Sequence, residues 1–259
     1  SMGAMGSFKF GAQFPDLFAA IAVSVGCPSE PGLVGLREIP VMLHSGDVDT
    51  TTECHPRNKA LQHYLATNDQ YQWWNFLNHP HPFSSRPKTW QAFADFLGLK
   101  RRAPDPARVT YAVDQQKNQS TFGLNSDHAY WLSGVTVRDM NHQTPRDPKD
   151  PVSTVSSYGI IDVKSEGFGQ GDPERQPVVK GSGVYTFGVP DYPWPNYDSQ
   201  TSVRGPIPKT PIRDVLNVKA ENIASVVIDP KRAKVSCAAK LNIDSDGPIK
   251  VTLAGCPAR

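Results

Sequence analysis

The chain has 259 residues, a formal net charge of +2, and 24 prolines and 20 glycines. That length holds two modest domains or one large one. The near-balance of charge removes nucleic acid as an expected partner, and the lack of any long apolar run removes an expected membrane span.

Read in order, the chain opens on Ser1-Met2-Gly3, with Ala4, Met5 and Gly6 behind them. A serine backed by small residues at the head of a helix matches the second half of a G-x-S-x-G nucleophile elbow. In that strained strand-to-helix turn the hydroxyl stands clear of the backbone. On this reading the strand and glycine of the first half lie upstream of Ser1. The competing reading is the scar of an expression tag.

Residues 2–14 are expected to form the helix, stopped by Phe14-Pro15 because proline disfavours helical geometry in the residue before it. Phe18 to Val25 has the length and apolarity of a strand, punctuated by Gly26-Cys27-Pro28. Ile39 to His44 is a second buried strand, running into Ser45-Gly46-Asp47-Val48-Asp49-Thr50. Residues 53–67 place Ala60, Leu61, Tyr64 and Leu65 at helical spacing. Tyr71 to Leu77 is an aromatic strand, and it opens into the loop Asn78-His79-Pro80-His81-Pro82-Phe83. A further helix near 87–98 puts Trp90, Phe93, Phe96 and Leu97 on one face. Helix and strand alternate, so the expected fold class of this half is α/β, a parallel sheet with crossover helices.

Loops at the carboxyl ends of strands in an open α/β sheet converge on one edge. Here a serine precedes an acid after one strand and a histidine after the next, an order different from those of chymotrypsin and subtilisin. On Ser1-Met2-Gly3, Phe14 to Phe18, Gly46-x-x-Asp49 and His81-Pro82-Phe83, residues 1–100 resemble the carboxyl-terminal half of an α/β-hydrolase. The nearest likeness is to secreted prolyl-oligopeptidase-like and polyester-depolymerase-like esterases. The resemblance implies Ser1 as nucleophile, Asp49 as the acid of the triad and His81 as general base. It also implies the Met2 backbone N–H as one oxyanion donor, with the second in the upstream half.

Asp47 and His79 are the alternatives for acid and base. A metal at His79 and His81 would lack a third ligand at a recognisable spacing, and no cofactor is implied. The histidines at 44, 55, 63, 128 and 142 read as structural or surface residues. An N-terminal serine also suits a nucleophile that uses its own α-amine as base, but such enzymes do not need the Asp and His loops.

Lys100-Arg101-Arg102 reads as a solvated linker face, and Pro104-Asp105-Pro106 marks a boundary between residues 1–103 and a β-rich accessory domain at 104–259. Beyond it come short strand-like runs at 109–113, 129–132, 135–137, 159–163, 184–187, 215–218, 223–228 and 249–253, separated by turn residues. Such a pattern predicts a β-sandwich. The proline-rich 140–157 and the segment 189–213 read as surface loops. Tyr130-Trp131 is expected in the core, and Tyr192, Trp194 and Tyr197 in an ordered loop, with a stacking platform for a sugar or polymer as the alternative. Asp127 to Trp131 resembles an accessory segment of the same exported hydrolases. Asn242 to Gly247 lacks the final glutamate of a calcium loop.

The cysteines form no C-x-x-C pair. Two local bridges, Cys27–Cys54 and Cys237–Cys256, would suit a secreted or extracytoplasmic protein, and four buried thiols are the alternative. The expected function is hydrolysis of a small or polymeric carboxylic ester through an acyl-enzyme, weak unless an upstream segment completes the site. A prolyl-oligopeptidase-type peptidase and a non-catalytic β-sandwich binding module on a hydrolase remnant are the other readings.

Overall fold

The computed structural model describes residues 2–26, 31–49, 70–79, 87–102, 105–142, 158–184 and 196–257. Two helices lie among them, α1 (Met2–Gln13) and α2 (Pro87–Gly98). The strands of the first half are β1 (Ile21–Ser24), β2 (Val41–Gly46) and β3 (Tyr71–Phe76), all parallel. Then come β4 (Arg108–Val113), β5 (Leu132–Val137), β6 (Gly159–Ser165), β7 (Val179–Val184) and β8 (Asn196–Ser202). The last four are β9 (Val215–Glu221), β10 (Ile223–Ile228), β11 (Lys240–Ser245) and β12 (Lys250–Leu253).

The run Val41-Met42-Leu43-His44 is buried throughout, as a strand covered on both faces must be. Alternation along the strand sorts its side chains. Val41 and Leu43 share a buried cluster with Phe8 and Ala12 of α1, whereas Met42 belongs to a separate one with Phe93 and Phe96 of α2. Apolar residues at helical spacing thus make one helix for each face of the sheet. No helix among the described residues is long and apolar enough to cross a membrane.

The α/β expectation does not hold. The chain is mostly β, in three mixed sheets, without the expected crossover-helix architecture. Among the described residues of the β1–β2 connection the helical element is a 3-10 helix, Pro31–Leu36. The first sheet runs β1-β2-β3-β8-β7, and its last two strands come from the second half of the sequence. β8 pairs antiparallel with β3 from Tyr71↔Ser202 to Phe76↔Tyr197. Its sequence, Asn-Tyr-Asp-Ser-Gln-Thr-Ser, lies in the stretch expected to be surface loop. A polar strand that pairs through its backbone carries no apolar alternation from which to recognise it.

The remaining strands form a three-stranded sheet, β12-β10-β5, and a four-stranded one, β11-β9-β6-β4. Tyr111, Ile161 and Val218 from one sheet share a buried core with Val135, Val226 and Leu253 from the other. Tyr130 and Trp131 are a turn, closed by an isolated bridge between Ala129 and Leu132, and β5 begins at Leu132. Tyr130 and Trp131 are buried as expected, and Tyr197 stacks on Trp74 at 4.9 Å; Tyr192 and Trp194 lie outside the described residues. The Asn242–Gly247 turn signal falls on β11 and the turn after it, where Asp246 pairs with Arg138 at 2.7 Å.

Cys237 and Cys256 form a disulfide with Cα atoms 5.4 Å apart. They sit in the turn before β11 and just after β12, not on the strands themselves. Cys27, Cys54 and the expected helix at 53–67 lie outside the described residues.

Candidate active site at the carboxyl edge of the first sheet

Because β1, β2 and β3 are parallel, their carboxyl ends open on one edge, and the segments leaving them become neighbours. After β1 the chain passes through Val25, in the left-handed region at φ 48, to Gly26. After β2 comes Asp47-Val48-Asp49, and after β3 comes Leu77-Asn78-His79, with Asn78 left-handed at φ 57. Val25 N–H donates to His44 O at 2.9 Å, and Asp47 N–H donates to Phe76 O at 3.1 Å. These bonds extend the ladder past the strands and hold the three exits side by side.

The acid and histidine loops are locked to each other. His79 N–H donates to Asp47 Oδ1 at 3.3 Å. A Cβ at Gly46 would stand 2.1 Å from the His79 carbonyl oxygen, so only glycine permits the approach. Asp49 N–H reaches Gly46 O at 3.4 Å, closing a turn that leaves Asp49 4% exposed. Asp47 therefore acts as a pin between loops, and Asp49 is the buried carboxyl of the pair. The amino end of α1 reaches the same edge, since a Cβ at Gly26 would stand 2.1 Å from the Ala4 Cβ. Met2 is the first residue of α1, with its side chain 86% exposed. Its N–H belongs to the first turn, whose N–H groups have no partner within the helix.

Of the residues expected in the site, Asp49 and Met2 are described, and so are the alternatives Asp47 and His79. Ser1 and His81 lie outside the described residues, adjoining α1 by one peptide bond and His79 by two. Asn78 and Gly26 do positioning work that the sequence reading passed over. The left-handed tolerance of asparagine and the Gly-Cys-Pro punctuation were the available signals.

Directly beneath this edge His44 is wholly buried, and among the described residues neither ring nitrogen has a hydrogen-bond partner. It stacks on Phe93 at 4.3 Å and Trp74 at 5.1 Å, with Phe76 edge-on at 5.5 Å. Burial in this apolar box lowers its pKa to about 3. The imidazole is thus a neutral packing group rather than a base, as the sequence suggested.

A cleft of about 180 Å³ elsewhere is lined by Arg37, Glu38, Arg108, Lys164, Asp172 and Arg204, among others. Arg108 holds Asp162 and Asp172, Lys164 holds Asp172 at 3.1 Å, and Arg204 pairs with Glu38. Cations and carboxylates answer each other along this seam, which joins the 3-10 connection to β4 and β6. Among the described residues no group of three or more His, Cys, Asp or Glu is placed to hold a metal ion.

No family model, curated protein or solved structure matches the chain.

The lock between the loops yields one prediction. Gly46→Ala should destabilise the protein by about 1–3 kcal/mol, since the obstructing atom is backbone and cannot rotate aside. Urea unfolding measures it; an unchanged midpoint would mean that the two loops are not in contact.

Proposed function

We propose that the chain is a serine hydrolase acting on carboxylic esters through an acyl-enzyme. The observation that carries this is the Gly46–His79 lock, which brings the acid loop and the histidine loop together at the edge that the amino end of α1 also reaches. On this reading Ser1 Oγ attacks the acyl carbon while the His81 imidazole takes its proton. Asp49 orients that imidazole and stabilises the imidazolium. The Met2 N–H donates to the oxyanion. The imidazolium then protonates the departing alcohol, water adds to the acyl-enzyme with His81 again as base, and His81 returns that proton to Ser1 Oγ as the acyl–Oγ bond breaks and the carboxylic acid leaves. The Cys237–Cys256 bridge fits an oxidising, extracytoplasmic compartment, which is where we place the protein.

The test is labelling by a fluorophosphonate, followed by intact mass, beside turnover of p-nitrophenyl esters. The wild type should take up one phosphonyl group, and Ser1→Ala none. Asp49→Ala should slow labelling by on the order of 10³–10⁴-fold, and Asp47→Ala much less. A wild type that stays unlabelled, a Ser1→Ala protein labelled at the wild-type rate, or Asp47→Ala costing more than Asp49→Ala would overturn the assignment.

A further inference from the structure

The last turn of α1 leaves carbonyl groups without partners inside the helix, as every helix does. Three of the carbonyls at and just beyond this end are taken by side chains far away in sequence. Tyr111 O–H donates to Gln13 O at 3.0 Å. Tyr130 O–H donates to Pro15 O at 3.0 Å. Arg102 Nη1 donates to Asp16 O at 2.7 Å. Both tyrosines are buried, Tyr111 at 0% exposed and Tyr130 at 6%, and burial pushes both phenols up so that each remains a donor.

Each donor is itself fixed. Tyr111 stands on β4 and shares a 3.0 Å hydrogen bond with Ser126. Tyr130 sits in the left-handed region at φ 54, an uncommon conformation for a bulky residue. Its carbonyl accepts from Arg232, and Arg232 Nε donates to Asp105 at 2.9 Å. Next to it, Trp131 Nε1 donates to Pro106 O at 2.8 Å. The segment Asp127 to Trp131 thus supplies one jaw of a grip on α1.

We propose that Tyr111, Tyr130 and Arg102 are positioning residues, clasping the carboxyl end of α1 so that its amino end stays in register with the acid and histidine loops. A helix transmits displacement along its axis as a rigid rod, about 1.5 Å per residue, so axial slip at Gln13 becomes axial slip at Met2. The inference rests on the serine hydrolase reading for its catalytic consequence, and on the hydrogen bonds alone for its mechanical one. An offset of about 1 Å at a nucleophile costs up to about 10²-fold in rate.

The test uses Tyr111→Phe, Tyr130→Phe and the double variant, each of which keeps the ring and removes the O–H. Exposed Asn242→Ala, on β11, serves as a control. Fluorophosphonate labelling is resolved into a binding constant and a bond-forming rate, well below the melting temperature of every protein. Hydrogen exchange at residues 3–8 is measured on the same samples. The double variant should lose on the order of tenfold or more in the bond-forming rate, with binding and the control unchanged. Exchange at the amino end of α1 should rise by on the order of tenfold. A purely structural role would lower the melting temperature and leave the bond-forming rate of the folded enzyme unmoved, and that result would overturn the proposal. If the wild type is not labelled, the hydrolase reading falls and takes the catalytic consequence with it. Exchange then decides the clasp alone, and unchanged exchange in the double variant overturns that too.

Discussion

Lowering the pH from 7 to 4 should cost this protein about 3 kcal/mol of stability through His44 alone, and His44→Phe should remove that loss. The folded pKa of about 3 lies below the model value of 6.5 because burial disfavours the imidazolium. The unfolded chain therefore binds a proton that the folded chain refuses. Stability from this group is fully present above pH 6.5, declines as pH falls, and is spent near pH 3. Each unit of the window is worth about 1.4 kcal/mol, against total stabilities of about 5–15 kcal/mol.

Two carboxyls titrate at the acid end of the same range. At Asp172 burial pushes the pKa up, but hydrogen bonds and charge from Lys164 and Arg108 outweigh it. At Asp246 burial again pushes up, and the Arg138 pair with the Asn222 N–H outweighs it. Both end below 3.8, so their contribution is present above that pH and is lost only beneath it. The interval from 6.5 to 4 keeps the His44 effect apart from these two carboxyls. Urea unfolding at pH 7, 5.5 and 4 measures the effect. Phenylalanine keeps the stacking against Trp74 and Phe93 and cannot be protonated. Parallel profiles for wild type and variant would show that His44 is not sealed in its box.

Trp131→Ala should destabilise by about 3–5 kcal/mol, the range for emptying an aromatic core site. Trp131 is 1% exposed and lies in the core shared by the two sheets of the second half. Its Nε1 also donates to Pro106 O at 2.8 Å, and losing it leaves that carbonyl unanswered in a buried place. Trp131→Phe separates the two contributions, because it refills most of the space and removes only the donor; about 1–3 kcal/mol is expected. Calorimetry or urea unfolding reads both. A loss under 1 kcal/mol for Trp131→Ala would mean that the neighbouring side chains close over the space.

By itself the sequence determined the elements whose burial is local and patterned. Val41 to His44 is apolar enough to be recognised as a covered strand, and Phe93 with Phe96 marks the inner face of α2. Gly46-Asp47-Val48-Asp49 was legible as an acid-bearing turn, and Cys237 with Cys256 as a local bridge, because turn chemistry and cysteine spacing act over short stretches of chain. Tertiary structure alone decided the rest. β8 joins β3 through backbone hydrogen bonds that any polar sequence can make, so Asn196 to Ser202 carried no mark of it, and with it went the mixed character of the sheet. The division of labour between Asp47 and Asp49 depends on a bond to His79, 32 positions away. The grip on α1 joins Pro15 to Tyr130 across 115 positions. A hydroxyl on a buried ring reads in sequence only as an aromatic core residue; which carbonyl it answers is settled when the chain has folded and every buried polar group must find a partner.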